Sequence, residues 1–175
     1  MHLVAVGGGD DLPRLRGLAA DLGVSARVVS LENLSREQAA ACYANADVFA
    51  LPSTGEGFGL VFLEAMALSK PIIGVAAGGA MDVVEDGVNG FLLPPGDAQS
   101  LHRSLEQLLG DASLREKLGS RGSQIVRDKY AFATFQGNLE QILYSQAARE
   151  GTTRADGGPM GSRVVSSKRR ALQSE

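Results

Sequence analysis

A single cysteine, Cys42, excludes an internal disulfide and suits a reducing compartment. Lying among alanines on a predicted helix, it reads as a small buried core residue. Histidine occurs twice, at His2 and His102, one at the terminus and one on a predicted helix, so surface or packing roles are expected of both. There is no Asp-x-Asp and no clustering of His, Cys and carboxylates at metal-ligand spacing, so no metal is called for. No stretch approaches the roughly 18 apolar residues of a membrane span. The start, Met1-His-Leu-Val-Ala-Val6, has no basic n-region and reads as a strand rather than a secretory signal.

What the chain does have is enough apolar residue, 44% of 175, for one soluble domain with a sizeable core. The net charge of −3 hides two regions. Through Ser145 there are 11 basic and 17 acidic residues, giving −6; from Gln146 there are 6 and 3, giving +3. An acidic core gives no support to nucleic-acid binding. The segment Gly151-Thr-Thr-Arg-Ala-Asp-Gly-Gly-Pro-Met-Gly-Ser-Arg163 has almost no large apolar residues and is expected to be disordered. Lys168-Arg169-Arg170 reads as a solvated basic end, with contact to anionic lipid or nucleic acid as the alternative.

Apolar runs alternate with helical patterns. Strands are predicted at Leu3–Val6, Arg27–Leu31, Asp47–Leu51, Pro71–Val75 and Gly90–Leu93. Helices are predicted at Leu12–Leu22, from Ser35 to Asn45, and over Leu60–Leu68, Ala98–Leu109, Ser113–Tyr130 and Ala133–Ala148. Gly23 stops the first helix, and Ser35 with Gln38 makes a capping box at the start of the second. This alternation predicts a parallel sheet covered on both faces, with ligands at the carboxyl ends of its strands.

The most informative run is Pro52-Ser-Thr-Gly-Glu-Gly-Phe-Gly-Leu-Val-Phe-Leu-Glu-Ala-Met66, in which seven residues separate Glu56 from Glu64. It follows an apolar strand and passes from a glycine-rich loop into a helix. Such a turn offers free backbone N–H groups and the positive end of a helix dipole, which suit a phosphate. The carboxylates would repel a bare phosphate; their natural task is to accept hydrogen bonds from sugar hydroxyls. Phosphate and polyol on one ligand suggest a nucleotide sugar. By contrast, Gly7-Gly-Gly-Asp-Asp-Leu12 lacks the third glycine of the dinucleotide fingerprint and reads as a strand-to-helix turn.

The run closely resembles the Glu-x7-Glu signature of the retaining GT-B glycosyltransferases of family 4, the glycosyl transferases group 1. The resemblance extends from about Leu3 to about Leu143. Ala46-Asp-Val-Phe-Ala-Leu-Pro-Ser53, Glu56-Gly-Phe-Gly-Leu60, Glu64-Ala-Met-Ala67, Lys70-Pro-Ile-Ile73, Gly78-Gly79 and Asp86-Gly87-Val-Asn-Gly90 follow in the family's order and spacing. It implies a doubly wound, Rossmann-like α/β fold, an incomplete C-terminal half of GT-B. Residues 1–148 would form the nucleotide-sugar-binding domain, lacking its first strand, and 149–175 a disordered tail. It implies that Glu56 is catalytic, approaching the donor sugar's hydroxyls and supporting positive charge near the anomeric carbon. Glu64 would accept hydrogen bonds from the ribose, and the amides of Gly57, Phe58, Gly59 and Leu60 would hold sugar and diphosphate.

The implied activity is metal- and cofactor-independent hexosyl transfer from a nucleoside-diphosphate sugar to a lipid or glycan. The expected location is cytoplasmic, with peripheral contact to a membrane as an option. A non-catalytic nucleotide-sugar-binding module is the alternative. An epimerase or phosphorylase of the same fold is disfavoured by the Glu56–Glu64 run and by the lack of a lysine placed for pyridoxal phosphate. The family's acceptor-binding half, and a loop with an arginine and a lysine for the diphosphate, have no counterpart before Leu3. Two further departures stand out. Asp82 occupies a position that is usually glutamate, and Leu31-Glu32-Asn33 lacks the glycine common after that leucine, which leaves the nucleotide base unread.

Overall fold

The computed structural model describes residues 1–134, 136, 137, 140 and 141. Met1–Ala131 forms one compact unit. The helix predicted over 133–148 lies largely, and the tail over 149–175 wholly, outside the described residues.

In chain order the elements are β1 (Leu3–Val6), α1 (Leu12–Asp21), a 3-10 turn (Ser25–Arg27), β2 (Val28–Leu31), α2 (Arg36–Asn45) and β3 (Phe49–Leu51). They continue with α3 (Leu60–Ala67), β4 (Ile72–Val75), α4 (Ala80–Val83), β5 (Gly90–Leu93), α5 (Ala98–Gly110) and α6 (Ala112–Lys129). The capping box at α2 forms as expected. Ser35 Oγ accepts from the Gln38 amide at 3.2 Å, and Gln38 Oε1 accepts from the Ser35 amide at 2.8 Å. The short helix α4 has no counterpart among the predicted elements, because a single turn carries no periodicity.

All strand pairs are parallel: Leu3 opposite Val28, Phe49 opposite Ile72, and Ile72 opposite Gly90. The expected sheet is in two pieces, however, one of order β1-β2 and one of order β3-β4-β5. Among the described residues β1 and β3 therefore each keep one unpaired edge.

The core sits around β4, whose four residues are all buried. Successive strand residues point to opposite faces. Ile72 accordingly joins Phe62, Ala65, Met66, Ala80, Val83, Val84 and Ile125, whereas Ile73 joins Leu93, Leu108 and Leu118. The three-stranded piece is thus covered on both sides. The two-stranded piece is not: Leu3, Val4, Val6 and Val29 are exposed, and so are Leu15 and Leu18 of α1 and Leu22 just after it. A cavity of about 470 Å³ opens between α1 and the strands, lined by Leu3, Leu15, Leu18, Leu22 and Val28 among others. Cys42, expected in the core, is only half-buried, because α2 has no fully buried residue.

Two polar details hold the site's scaffold. Fully buried Asn89 donates to the Val83 carbonyl at 3.0 Å and accepts from the Glu85 amide at 2.9 Å, which fixes the chain leaving α4. Lys70 Nζ donates to the Ala44 carbonyl at 2.8 Å, serving the C-terminal end of α2.

Candidate functional site

The glycine-rich loop leaves the carboxyl end of β3 and enters α3 through Gly59, whose φ of 77° is in the left-handed region that glycine tolerates. A Cβ there would also stand 2.8 Å from Cδ2 of the buried Phe62, so the ring closes the space beneath the loop. Among the described residues, the amides of Gly57, Phe58, Gly59, Leu60 and Val61 have no protein acceptor. Five consecutive free donors at a helix start form an anion-suited cradle.

The Gly78-Gly79 turn positions the loop. The Gly79 amide donates to the Glu56 carbonyl at 2.9 Å. A Cβ on Gly78 would lie 2.4 Å from that carbonyl oxygen, and one on Gly79 would lie 2.4 Å from Gly57 O. The two glycines let the loop after β4 lie backbone to backbone against residues 56–58 and so set the loop's position.

Glu56 is half-buried in the loop, and its carboxylate makes no hydrogen bond or ion pair within the described residues. Glu64 is exposed in the second turn of α3 and accepts a hydrogen bond from Tyr43 Oη at 3.0 Å. Burial, and then Glu64's hydrogen bond and charge, push the Tyr43 phenol up to about 12, so it remains a donor across neutral pH. The spacing of Glu56 and Glu64 gave no hint of Tyr43, which lies on another helix 21 residues away. Phe58, with a T-shaped contact to Tyr130 at 6.4 Å, is exposed at the loop's tip.

Both departures from the family pattern can be located in the structure. Glu32 bonds Arg16 at 3.3 Å and would stand 3.2 Å from a Cβ on Gly8, so it ties the loop after β2 to the Gly7–Gly9 turn. The left-handed position in that loop falls on Asn33, with φ of 53°, a residue type that tolerates it. Asp82 is exposed, and its carbonyl accepts from Tyr130 Oη at 3.0 Å. His102 sits exposed on α5 beside Glu106 at 3.5 Å, and His2 is exposed, both in surface roles. No group of three or more metal-ligand side chains gathers among the described residues.

Parallel α/β layers with a glycine loop at a strand's carboxyl end define a Rossmann-like class of domain. Residues 1–125 match the family described as glycosyl transferases group 1, and the chain belongs to that family. It is 33% identical over 148 residues to a GDP-mannose-dependent alpha-(1-6)-phosphatidylinositol monomannoside mannosyltransferase of Mycolicibacterium smegmatis, covering 81% of this chain and 39% of the relative. It is 38% identical over 159 residues to a D-inositol 3-phosphate glycosyltransferase of Salinispora tropica, covering 88% and 33%.

Among solved structures, Anabaena HepE in complex with UDP and glucose superposes with a TM-score of 0.74 at 31% identity, over 82% of this chain and 40% of that one. The C-terminal domain of a group 1 glycosyl transferase from Francisella tularensis gives 0.65 at 28% identity, over 70% and 64%. The fold is part of the GT-B architecture. The chain spans 39% and 33% of the two curated relatives. No helix among the described residues is long and apolar enough to cross a membrane.

Proposed function

We propose that this chain is the donor-binding part of a retaining, metal-independent hexosyltransferase that moves a sugar from a nucleoside diphosphate to a lipid or glycan. The observation that carries the reading is the run of five free amides, Gly57 to Val61, between Glu56 and Glu64. The amides of Gly57, Phe58, Gly59 and Leu60 hold the diphosphate and the donor sugar. Fixed dipoles of this kind stabilise the leaving phosphate without rearranging, as an oxyanion hole does. Glu56, whose carboxylate is unengaged among the described residues, faces the sugar's hydroxyls and the positive charge near the anomeric carbon. Glu64 takes the ribose hydroxyls. The complex of HepE with UDP and glucose supports the donor class, and the mannosyltransferase relative's name supports a lipid acceptor.

The reading places one more parallel strand between β1 and β3, two of the four strands that keep an unpaired edge among the described residues. In the doubly wound order 3-2-1-4-5-6 the first strand occupies that place. In the family's pattern a cationic loop follows such a strand, and another half of the fold holds the acceptor. Without two cations facing the diphosphate, binding loses several kcal/mol, at about 1.5–3 kcal/mol per charge-assisted hydrogen bond. The 175-residue chain is therefore expected to transfer little or no sugar. Robust turnover by it in a donor-consumption assay would sink that expectation.

The site assignment has its own check. Titrated with UDP-sugar and GDP-sugar, Glu56→Ala and Glu64→Ala are each expected to weaken binding about tenfold or more, the loss of one hydrogen bond to a charged group. If neither substitution weakens binding, the assignment fails. A non-catalytic nucleotide-sugar-binding module is the second reading. It predicts the same losses of binding, but no transfer when the acceptor-binding half of a relative is added.

A further inference from the structure

Tyr43 lies near the end of α2, and its hydroxyl donates to Oε2 of Glu64 at 3.0 Å. Its ring packs edge-on against Phe49 of β3, with centroids 5.5 Å apart at 60°. Phe49 in turn meets Phe62 of α3 at 5.8 Å and 82°. Phe62 is fully buried and abuts Gly59. One aromatic chain thus links α2, β3 and α3, running from Gly59 in the middle of the cradle to the hydroxyl that grips Glu64.

Glu64 makes no other side-chain hydrogen bond or ion pair within the described residues. A free, exposed glutamate loses much rotamer entropy when a ligand orders it, and a group ordered beforehand does not. We propose that Tyr43 is a positioning residue. By holding Oε2 of Glu64, it presents Oε1 and the remaining lone pairs of Oε2 to the vicinal diol of a ribose. The inference rests on the reading of Glu64 as the ribose-binding carboxylate.

The geometry suits the task. The phenol occupies one of the about four acceptor sites of an ionised carboxylate and leaves most of them for a ligand. Burial keeps the phenol protonated well above neutral pH, so the bond persists wherever the carboxylate is ionised. The Phe49 and Phe62 rings fix where the hydroxyl stands, so Glu64 adapts to Tyr43 rather than the reverse.

Tyr43→Phe removes the hydroxyl and keeps the ring. The probes are UDP and GDP with their 2′-deoxy counterparts, titrated against the 175-residue chain. The wild-type protein is expected to prefer one ribonucleotide over its deoxy form about tenfold, one hydrogen bond to a charged group. In Tyr43→Phe, affinity for that ribonucleotide should fall about fivefold while the deoxy form changes less than twofold, so the preference shrinks. Glu64→Gln should also cost less in the Tyr43→Phe background than alone, because the two residues act as one unit.

An unchanged preference in Tyr43→Phe overturns the inference and leaves the reading of Glu64 standing. Equal losses for both sugars also overturn it, since they show general loosening between α2 and α3. Nucleotide binding by the wild type with no ribose preference removes Glu64's role and the inference together.

Discussion

Replacing Gly119 with alanine is expected to destabilise the protein by about 3 kcal/mol, opposite in sign to the usual effect of this change in a helix. Gly119 lies within α6, where alanine is ordinarily better than glycine by about 0.5–1 kcal/mol. A Cβ at this position, however, would stand 2.0 Å from the Ser69 carbonyl oxygen and 2.8 Å from its carbon. Ser69 has little room to yield, because it holds a φ of 57° in the turn from α3 to β4. Its amide is bonded to Met66 O at 2.9 Å, and Met66 is fully buried. The helix must then lift from α3 and β4, and overpacking of this kind typically costs 1–3 kcal/mol or more.

Gly17 of α1 supplies the internal control. Nothing lies within 4 Å of a Cβ there, and Gly17→Ala is expected to raise stability by about 0.5–1 kcal/mol. Urea unfolding of both variants checks the pair. If Gly119→Ala proves as stable as wild type, α6 does not cross the α3–β4 turn as closely as described.

The second large effect falls on the cradle. Gly79→Ala should weaken nucleotide-sugar binding at least tenfold, with a loss of stability of about 1–3 kcal/mol. Gly79 has a φ of −62°, so alanine is conformationally acceptable and only the collision matters. The new Cβ would meet Gly57 O at 2.4 Å and Phe58 C at 2.4 Å, within the loop whose amides are proposed to hold the diphosphate. Relief requires residues 56–58 to move, which stretches the bond from the Gly79 amide to Glu56 O. Misplacement of a catalytic constellation by about 1 Å can cost 100-fold in rate. Nucleotide titration well below the melting temperature, with the amide shifts of residues 57–61 followed by NMR, separates the two effects. Wild-type affinity in Gly79→Ala would show that the loop is positioned by something other than this contact.

These two glycines illustrate how much of the protein could be read from sequence. Period and punctuation placed all five strands, and every helix from Leu12 to Lys129 except the single turn α4, to within a residue or two. Ser35 and Gln38 act across three residues, and such short-range hydrogen bonding is written in local order. The donor cradle was legible for the same reason: Gly55 to Gly59 followed by a helix former dictates free amides at a helix start whatever surrounds it.

Tertiary structure decided the rest, because each remaining feature depends on atoms distant in the chain. Gly79 and Gly119 need glycine because another stretch of backbone passes within 2.4 Å of where a Cβ would be. Tyr43 meets Glu64 only when α2 and α3 pack side by side. Pairing partners were equally unreadable: an apolar run announces a strand but not its neighbour. The division into β1-β2 and β3-β4-β5 therefore emerged only with the fold. Sequence by itself determined most of the elements and the free amides where the loop enters α3, since both arise within a few residues. Which backbones touch, which helix restrains Glu64 and where the sheet is left open were set by the packing of the whole domain.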